Sequence, residues 1–228
     1  MGNLAIIPAR GGSKRIPRKN IKDFCGQPII AYSIKAAIAS GIFDDIMVST
    51  DDPEIAAISV QYGATVPFLR SAENANDFAT TAAVLTEVLE NYSAAGKTYQ
   101  YACCIYPTAP FVTAQKLKDA YALLKNRNFD SVLTIQPFSF PIQRAFYKEQ
   151  DTVKWVAPEY ALTRSQDLPK TFHDVGQFYF FNAGNFLTSK QLITANSGAI
   201  EVNELEAQDI DNETDWKLAE MKFRLMNP

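Results

Sequence analysis

The chain is poor in the residues on which several classes of active site depend. Its 228 residues include a single histidine, His173, and three cysteines, Cys25, Cys103 and Cys104, which form no C-x-x-C pair. One histidine excludes multi-histidine metal sites, and a structural role suits it best because no sequence feature supplies a nucleophile partner. We expect the cysteines to be reduced structural thiols in a cytoplasm, with Cys103 and Cys104 on opposite faces of one strand.

The chain also lacks a strong charge excess and any long apolar run. Its net charge is −3, which gives no support for binding to nucleic acid or to a membrane surface. The apolar stretch over residues 4–9 is too short to span a membrane, and the cations follow it, which reverses the order of a signal peptide. No Walker A motif occurs and no G-x-G-x-x-G follows the first strand, so P-loop NTPases and Rossmann dehydrogenases lose their main support.

What the sequence does have is an alternation of strand and helix patterns. Strands are predicted over residues 4–7, 46–49, 101–106, 131–135 and 178–181, with a weaker one over 66–69. Helices are predicted over 28–40 with Pro28 in the first turn, from Pro53, over 80–93, from Thr113, and from Asn212 with Trp216 facing the sheet. This alternation favours an α/β fold with a mainly parallel central sheet. Prolines interrupt it over residues 137–177, so we expect one domain, 1–228, with a small inserted lobe at 137–177.

The loop after the first strand concentrates positive charge. Residues 9–20 hold five cations, no acid, and the adjacent glycines Gly11 and Gly12. Glycine lets backbone N–H groups approach phosphate oxygens, and lysine and arginine neutralise charge that grows during phosphoryl transfer. Ligands of open α/β sheets bind beyond the carboxyl ends of strands, where this loop lies. The segment therefore predicts an anion site, the alternative being a solvated basic loop.

Two carboxylates near the end of the chain are candidate ligands for a hard cation. Asp209 and Asp211 flank one apolar residue and would share a face of an extended segment. Mg²⁺ held there could also contact triphosphate oxygens. The alternative is that Asp211 or Asn212 only caps the following helix, with Asp215 completing the capping pattern.

In combination these segments resemble the acylneuraminate cytidylyltransferases. The resemblance rests on Arg-Gly-Gly-Ser-Lys at 10–14, Lys-Asn at 19–20, Val-Ser-Thr-Asp at 48–51, Pro-Thr-Ala-Pro at 107–110 and Asp-Ile-Asp at 209–211. Within the family, residues 105–110, 138–145 and 163–167 are most similar to members that activate pseudaminic acid. Members that act on sialic acid typically carry glutamine at the place of Tyr106.

The resemblance implies a fold and a role for each matching residue. The fold is a Rossmann-like nucleotidyltransferase fold, whose inserted lobe closes over the site of a partner in a homodimer. Lys19, Arg10 and Asp211 are the expected catalytic residues, and Asp209 and Asp211 the expected metal pair. Arg10, Ser13, Lys14, Lys19 and Asn20 would meet the CTP phosphates, and Arg70 and Thr81 would hold the nucleotide. Arg144 and Arg164 would bind the sugar carboxylate, and Tyr106 would line the sugar pocket or serve packing.

The expected reaction is transfer of CMP from CTP to a nine-carbon 2-keto sugar acid, with Mg²⁺ as cofactor and pseudaminic acid as the first choice of substrate. The base could be Asp211 or a metal-activated water. N-acetylneuraminate, legionaminate or 3-deoxy-octulosonate are alternative acids. A different class of protein, a non-catalytic nucleotide-binding module, would keep the basic loop without turnover.

Overall fold

A six-stranded, mainly parallel sheet forms the centre of the protein in a computed structural model that describes residues 2–227. The strands are β1 (Gly2–Pro8), β2 (Asp23–Phe24), β3 (Gln27–Pro28), β4 (Asp45–Ser49), β5 (Tyr99–Ile105), β6 (Ser131–Pro137), β7 (Phe146–Glu149), β8 (Thr152–Trp155), β9 (Phe172–Asn182) and β10 (Ser197–Glu201). The helices are α1 (Ile30–Ser40), α2 (Pro53–Gln61), α3 (Thr81–Ala94), α4 (Ala114–Arg127), α5 (Ala183–Ser189) and α6 (Glu213–Met226).

The order of strands in the large sheet is β10-β6-β9-β5-β1-β4. Strand β1 pairs in parallel with β4 and β5, and β10 pairs in parallel with β6. Only β9, among the strands of this sheet in the described residues, runs antiparallel to its neighbours β5 and β6. The predicted α/β fold with a mainly parallel sheet is therefore confirmed.

Alternate residues of the central strands supply two apolar cores, one on each face of the sheet. Ala5 and Cys103 belong to the core beneath α1 and α4, whereas Leu4 and Cys104 belong to the core beneath α3 and α5. Cys103 and Cys104 thus point to opposite faces, as predicted. Both are fully buried and none of the cysteines in the described residues forms a disulfide.

The helix predicted from Pro53 begins there, and two other local predictions are wrong. The side chain of Asp52 caps α2 by accepting the N–H groups of Glu54 and Ile55. Pro28, however, lies in β3 and not in the first turn of α1, because the chain first closes the short β2–β3 hairpin. Residues 66–69 form no strand. A single bridge joins the preceding Thr65 to Met47 on the free edge of β4, and Pro67 has no N–H with which to extend the pairing.

Helix α6 packs elsewhere than predicted. Its buried Trp216 lies edge to face against Phe24 at a centroid distance of 5.5 Å, in a third apolar cluster that covers the β2–β3 hairpin and not the sheet. The same cluster contains Ile16 from the basic loop and Ile210 from between the two aspartates. Burial of these two side chains, each about 1% exposed, therefore holds the basic and acidic segments together.

Between β6 and β9 the chain leaves the sheet. Residues 138–171 contain the β7–β8 hairpin and three single turns of 3₁₀ helix, at Ile142–Arg144, Pro158–Tyr160 and Ser165–Asp167. Strand β9 begins at Phe172, inside the predicted lobe of 137–177, because residues 172–174 already pair with β6. Within the described residues no helix combines the length and apolar character needed to cross a membrane.

Candidate active site

The residues predicted to bind nucleotide surround one cavity at the carboxyl ends of β1, β4 and β5. Its volume is about 240 Å³. The following predicted residues line it: Arg10, Ser13, Lys14, Lys19, Asn20, Arg70, Thr81 and Tyr106. Arg15, which was not predicted as a site residue from the sequence, lines it too. Arg18 does not, since it pairs with Asp52 and Glu54 at the start of α2. The structure thus converts most of the basic loop into a cationic cavity wall.

The backbone of the basic loop is tied to neighbouring elements. The N–H of Gly11 donates to Asp51 Oδ1 at 3.0 Å, and the buried side chain of Asn20 donates to the carbonyl of Arg10 at 2.9 Å. A Cβ atom at Gly11 would lie 2.6 Å from an oxygen of Asp52, so this close approach requires glycine. The loop is therefore held in place before any ligand arrives.

Arg70 is fixed against the end of β4. It is only 8% exposed, and its guanidinium donates to the hydroxyl and the carbonyl of Ser49. Burial lowers the pKa of Arg70, an effect opposed by the nearby Asp51. A buried guanidinium that still lines a cavity can offer its remaining N–H groups to a ligand.

An aspartate that was not predicted from the sequence pairs with two cations of the cavity wall. Asp77 accepts from Arg10 Nη1 at 2.5 Å and from the ammonium of Lys14. Hydrogen bonds from Lys14 and Arg10 lower the pKa of Asp77. An acid that lies 63 and 67 residues from its partners in sequence leaves no local pattern, so sequence reasoning could not identify it. Its carboxylate occupies the donors that an anionic ligand would use.

Lys19 connects the basic loop with the acidic segment. Its Nζ donates to the carbonyl of Ile210 at 2.7 Å. Burial lowers the pKa of Lys19, while the charges of Asp211 and Asp209 act in the opposite direction. The charge of Lys19 therefore lies next to both the cation-lined cavity and the acidic segment 209–211.

The structure shows which residue caps the last helix. Asn212 caps α6, accepting the N–H groups of Thr214 and Asp215, and Asp215 completes the capping box. The carboxylate of Asp211 is free of capping and pairs with Arg15 at 2.8 Å. Because Asn212 already caps the helix, Asp211 remains available as a ligand.

Arg144 and Arg164 lie away from the cation-lined cavity of their own chain. Arg144 donates to Ser165 Oγ at 3.2 Å, and Arg164 Nε pairs with Asp167 at 2.7 Å. Neither lines the cavity described above. His173 also lies outside it and packs its ring on Phe138 at a centroid distance of 4.8 Å. The two arginines can meet a substrate in this cavity only if the lobe reaches a second molecule or moves.

Tyr106 sits where the cation-lined cavity meets a second one. Its hydroxyl lies 3.3 Å from Thr81 Oγ1, and its ring meets that of Tyr179 edge to face at 5.8 Å. Both cavities include Tyr106 and Thr108 in their walls. The residue therefore lies at the boundary between the two cavities.

Comparison with known proteins agrees with this geometry. A family model described as Cytidylyltransferase matches residues 4–214. The chain belongs to this family. It is 40% identical over 226 residues to the pseudaminic acid cytidylyltransferase of Campylobacter jejuni, covering 99% of this chain and 97% of that one.

Two further relatives differ in length or in sequence. A Helicobacter pylori protein is 35% identical over 225 residues, which are 98% of this chain but 43% of that longer one. It is named pseudaminic acid cytidylyltransferase and UDP-2,4-diacetamido-2,4,6-trideoxy-beta-L-altropyranose hydrolase. A solved CMP:2-keto-3-deoxy-manno-octonic acid synthetase complexed with CTP superposes with a TM-score of 0.72 at 16% identity, covering 100% of this chain and 99% of that one. The last likeness confirms the nucleotidyltransferase fold.

Proposed function

We propose that this cytidylyltransferase transfers CMP from CTP to pseudaminic acid, a nine-carbon 2-keto sugar acid, and releases pyrophosphate. The main observation in support is that Arg10, Lys14, Lys19 and Arg70 line one cavity. Lys19 also contacts the acidic segment 209–211. The choice of acid is supported by the relatives from Campylobacter jejuni and Helicobacter pylori, both named for pseudaminic acid. The acid thus follows from sequence similarity, and the reaction type from the site.

The proposed reaction needs positioning and charge neutralisation. The anomeric hydroxyl oxygen of the acid attacks the α-phosphorus of CTP in line, the bond to the β-phosphate bridging oxygen breaks, and pyrophosphate leaves. The hydroxyl proton passes to a base, either Asp211 or water. Arg10, Lys14 and Lys19 face the cavity where negative charge would grow and would stabilise it there. No covalent intermediate is required.

The acidic segment fits a magnesium ion that is shared with the substrate. Among the described residues no group of three or more His, Cys, Asp or Glu side chains could hold a metal alone. Mg²⁺ is commonly bound by one or two carboxylates together with substrate phosphates, which matches a pair of aspartates beside a phosphate cavity. We propose that Asp209 and Asp211 hold it. When bound, the ion supplies positive charge to phosphoryl oxygens.

We further propose a homodimer in which the lobe of one protomer completes the site of its partner. Phe140 is 80% exposed and Leu162 is 100% exposed on the segment between β6 and β9, and large exposed apolar side chains of this kind are typical of interaction surfaces. Arg144 and Arg164 lie on the same segment, outside their own chain's cavity. In a homodimer the exposed apolar side chains would contact the partner, and the two arginines would reach the partner's cavity.

Subunit complementation tests the dimer. Lys19→Ala and Arg164→Ala proteins, each inactive alone, are mixed at equal concentration and allowed to exchange subunits. If Arg164 acts on the partner's site, half of the dimers carry one intact site, so about a quarter of the wild-type activity returns. If Arg164 serves its own chain, no mixed dimer has an intact site and no activity returns. Sedimentation equilibrium checks that the dimer exists.

We propose the cytoplasm as the compartment of the reaction. Cys25, Cys103 and Cys104 are free thiols in the structure, as is usual for proteins of a reducing compartment. Cell fractionation with an antibody against the chain tests this, and recovery from an oxidising compartment would contradict it.

A turnover screen tests the proposed substrate. Purified protein with CTP and Mg²⁺ is assayed for pyrophosphate release with pseudaminic acid, N,N′-diacetyllegionaminic acid, N-acetylneuraminic acid and 3-deoxy-octulosonic acid. We expect the highest kcat/KM with pseudaminic acid. A higher value with another acid would replace the substrate and keep the reaction. Tight CTP binding without turnover on any acid would instead favour a non-catalytic nucleotide-binding module.

A further inference from the structure

The second cavity differs from the cation-lined cavity in its charge. Its volume is about 260 Å³. Among the described residues that line it, the charged ones are Asp174 and Asp209, and none is lysine or arginine. With Asp209 assigned to the magnesium ion, Asp174 is the carboxylate left in this wall to accept hydrogen bonds from a ligand. The cavity is therefore suited to the uncharged end of a sugar acid.

Asp174 is held in a fixed orientation at this cavity. Its Oδ1 accepts the N–H of Gly176 at 2.9 Å and its Oδ2 accepts the hydroxyl of Tyr179. Burial and the hydrogen bond to Asp174 raise the pKa of Tyr179, so the phenol stays a neutral donor. Each carboxylate oxygen accepts more than one hydrogen bond. Asp174 thus keeps acceptor capacity in addition to these two bonds.

The β-bulge that follows Asp174 within β9 is built for this arrangement. Gly176 has a φ of 55°, in the left-handed region, and a Cβ atom there would lie 3.3 Å from the ring of Tyr106. Glycine therefore serves both the backbone conformation and the close approach of Tyr106. Tyr106 in turn contacts the ring of Tyr179. The carboxylate, the bulge and both tyrosines form one connected wall.

A buried acceptor in the same cavity has no donor. Gln177 is 3% exposed and lines the cavity. Its Nε2 donates to the carbonyl of Glu206, which fixes the amide, while its Oε1 has no hydrogen-bond partner among the described residues. A buried acceptor without a donor is costly, and a ligand that brings an N–H or O–H group would remove that cost.

We propose that Asp174 determines specificity by accepting a hydrogen bond from an acylamino N–H of the sugar acid. The inference rests on the proposed function and adds the residue that recognises the substrate's nitrogen substituents. A secondary amide N–H is a neutral donor, which suits a fixed carboxylate in a cavity without cations. An analogue that lacks the donors is bound less well, because the buried Oε1 of Gln177 in the same cavity is then left unpaired.

Asp174→Ala tests the assignment, because it removes both acceptor oxygens and, since Asp174 is exposed, it removes no core packing. The substrates are pseudaminic acid and two analogues, in each of which one acylamino group is replaced by hydrogen. We expect the wild type to lose about 10-fold or more in kcat/KM on one analogue. The variant should show a similar loss on the parent acid, little further loss on that analogue, and an unchanged KM for CTP. Asp119→Ala, at an exposed aspartate on α4, is the matched control.

Each other outcome is decisive. Equal losses of the variant on all three substrates would show a structural role and overturn the inference. Wild-type kcat/KM of the variant on the parent acid would also overturn it, while leaving the proposed function intact. A wild type that turns over none of the three acids would contradict the proposed function, and the inference with it.

Discussion

Replacing Asp211 with asparagine isolates the charge that the metal assignment requires. The helix cap is Asn212, so the substitution leaves the cap of α6 in place. What it removes is a carboxylate charge and the ion pair with Arg15 at 2.8 Å. Both side chains of that pair are well exposed, at 68% and 44%, and such pairs contribute about 0–1 kcal/mol. The free energy of unfolding should therefore change by no more than about 1 kcal/mol.

Activity should change far more than stability. Asparagine keeps the shape of the side chain but lacks the charge that a hard cation requires. We expect kcat to fall by about 100-fold or more, the scale of losing one directed electrostatic contact, which corresponds to about 2.7 kcal/mol of activation free energy. The Mg²⁺-dependent part of CTP binding should weaken in parallel.

Three measurements on Asp211→Asn check this expectation. They are pyrophosphate release across a Mg²⁺ titration, calorimetric CTP binding with and without Mg²⁺, and urea unfolding. Glu213→Gln is the matched control, because it removes a carboxylate two residues away that pairs with Lys22 outside the cavity. The control should keep the wild-type rate. An Asp211→Asn protein with the wild-type rate and the wild-type Mg²⁺ dependence would refute the metal assignment.

Three further substitutions test other parts of the site. Lys19→Ala should lower kcat at least about 100-fold, whereas Lys22→Ala, a change outside the cavity, should not; near-normal turnover of folded Lys19→Ala would remove Lys19 from the mechanism. Arg164→Lys should raise the KM for the sugar acid with CTP affinity unchanged, since an ammonium cannot reproduce the two-bond fork; equal weakening of both substrates would indicate damage to the lobe. Asp77→Asn should tighten CTP binding by up to about 5-fold, because its carboxylate competes for two cavity cations; weaker binding in calorimetry would show that Asp77 supports the nucleotide.

The parts of the structure that follow from local pattern were predictable. The periodicity of strands and the helix-start pair Asp52-Pro53 depend only on neighbours in sequence. They correctly predicted the sheet and the start of α2. The basic loop was equally visible, because its five cations lie within ten residues and follow a strand that ends at the edge where α/β proteins bind ligands. The position of the cavity follows from these two features.

The parts that depend on distant residues were not predictable. The apolar face of α6 shows that Trp216 is buried, but periodicity cannot tell whether a helix covers a sheet or a hairpin. Asp77 pairs with the basic loop over a long distance in sequence, and Asp174 bonds to Tyr179 across a bulge in β9; neither contact follows a repeating pattern. Such contacts are seen only in the folded structure.

The central claim is that CMP is transferred from CTP to the sugar acid, and product analysis tests it most directly. Wild-type protein is incubated with Mg²⁺, pseudaminic acid and CTP labelled at the α-phosphate, and the products are separated and weighed by mass spectrometry. The account predicts that the label appears in a CMP-sugar in an amount equal to the unlabelled pyrophosphate released, and that neither product forms when the acid is omitted. Label that stays in CTP, or that appears as free CMP without a sugar conjugate, would contradict it.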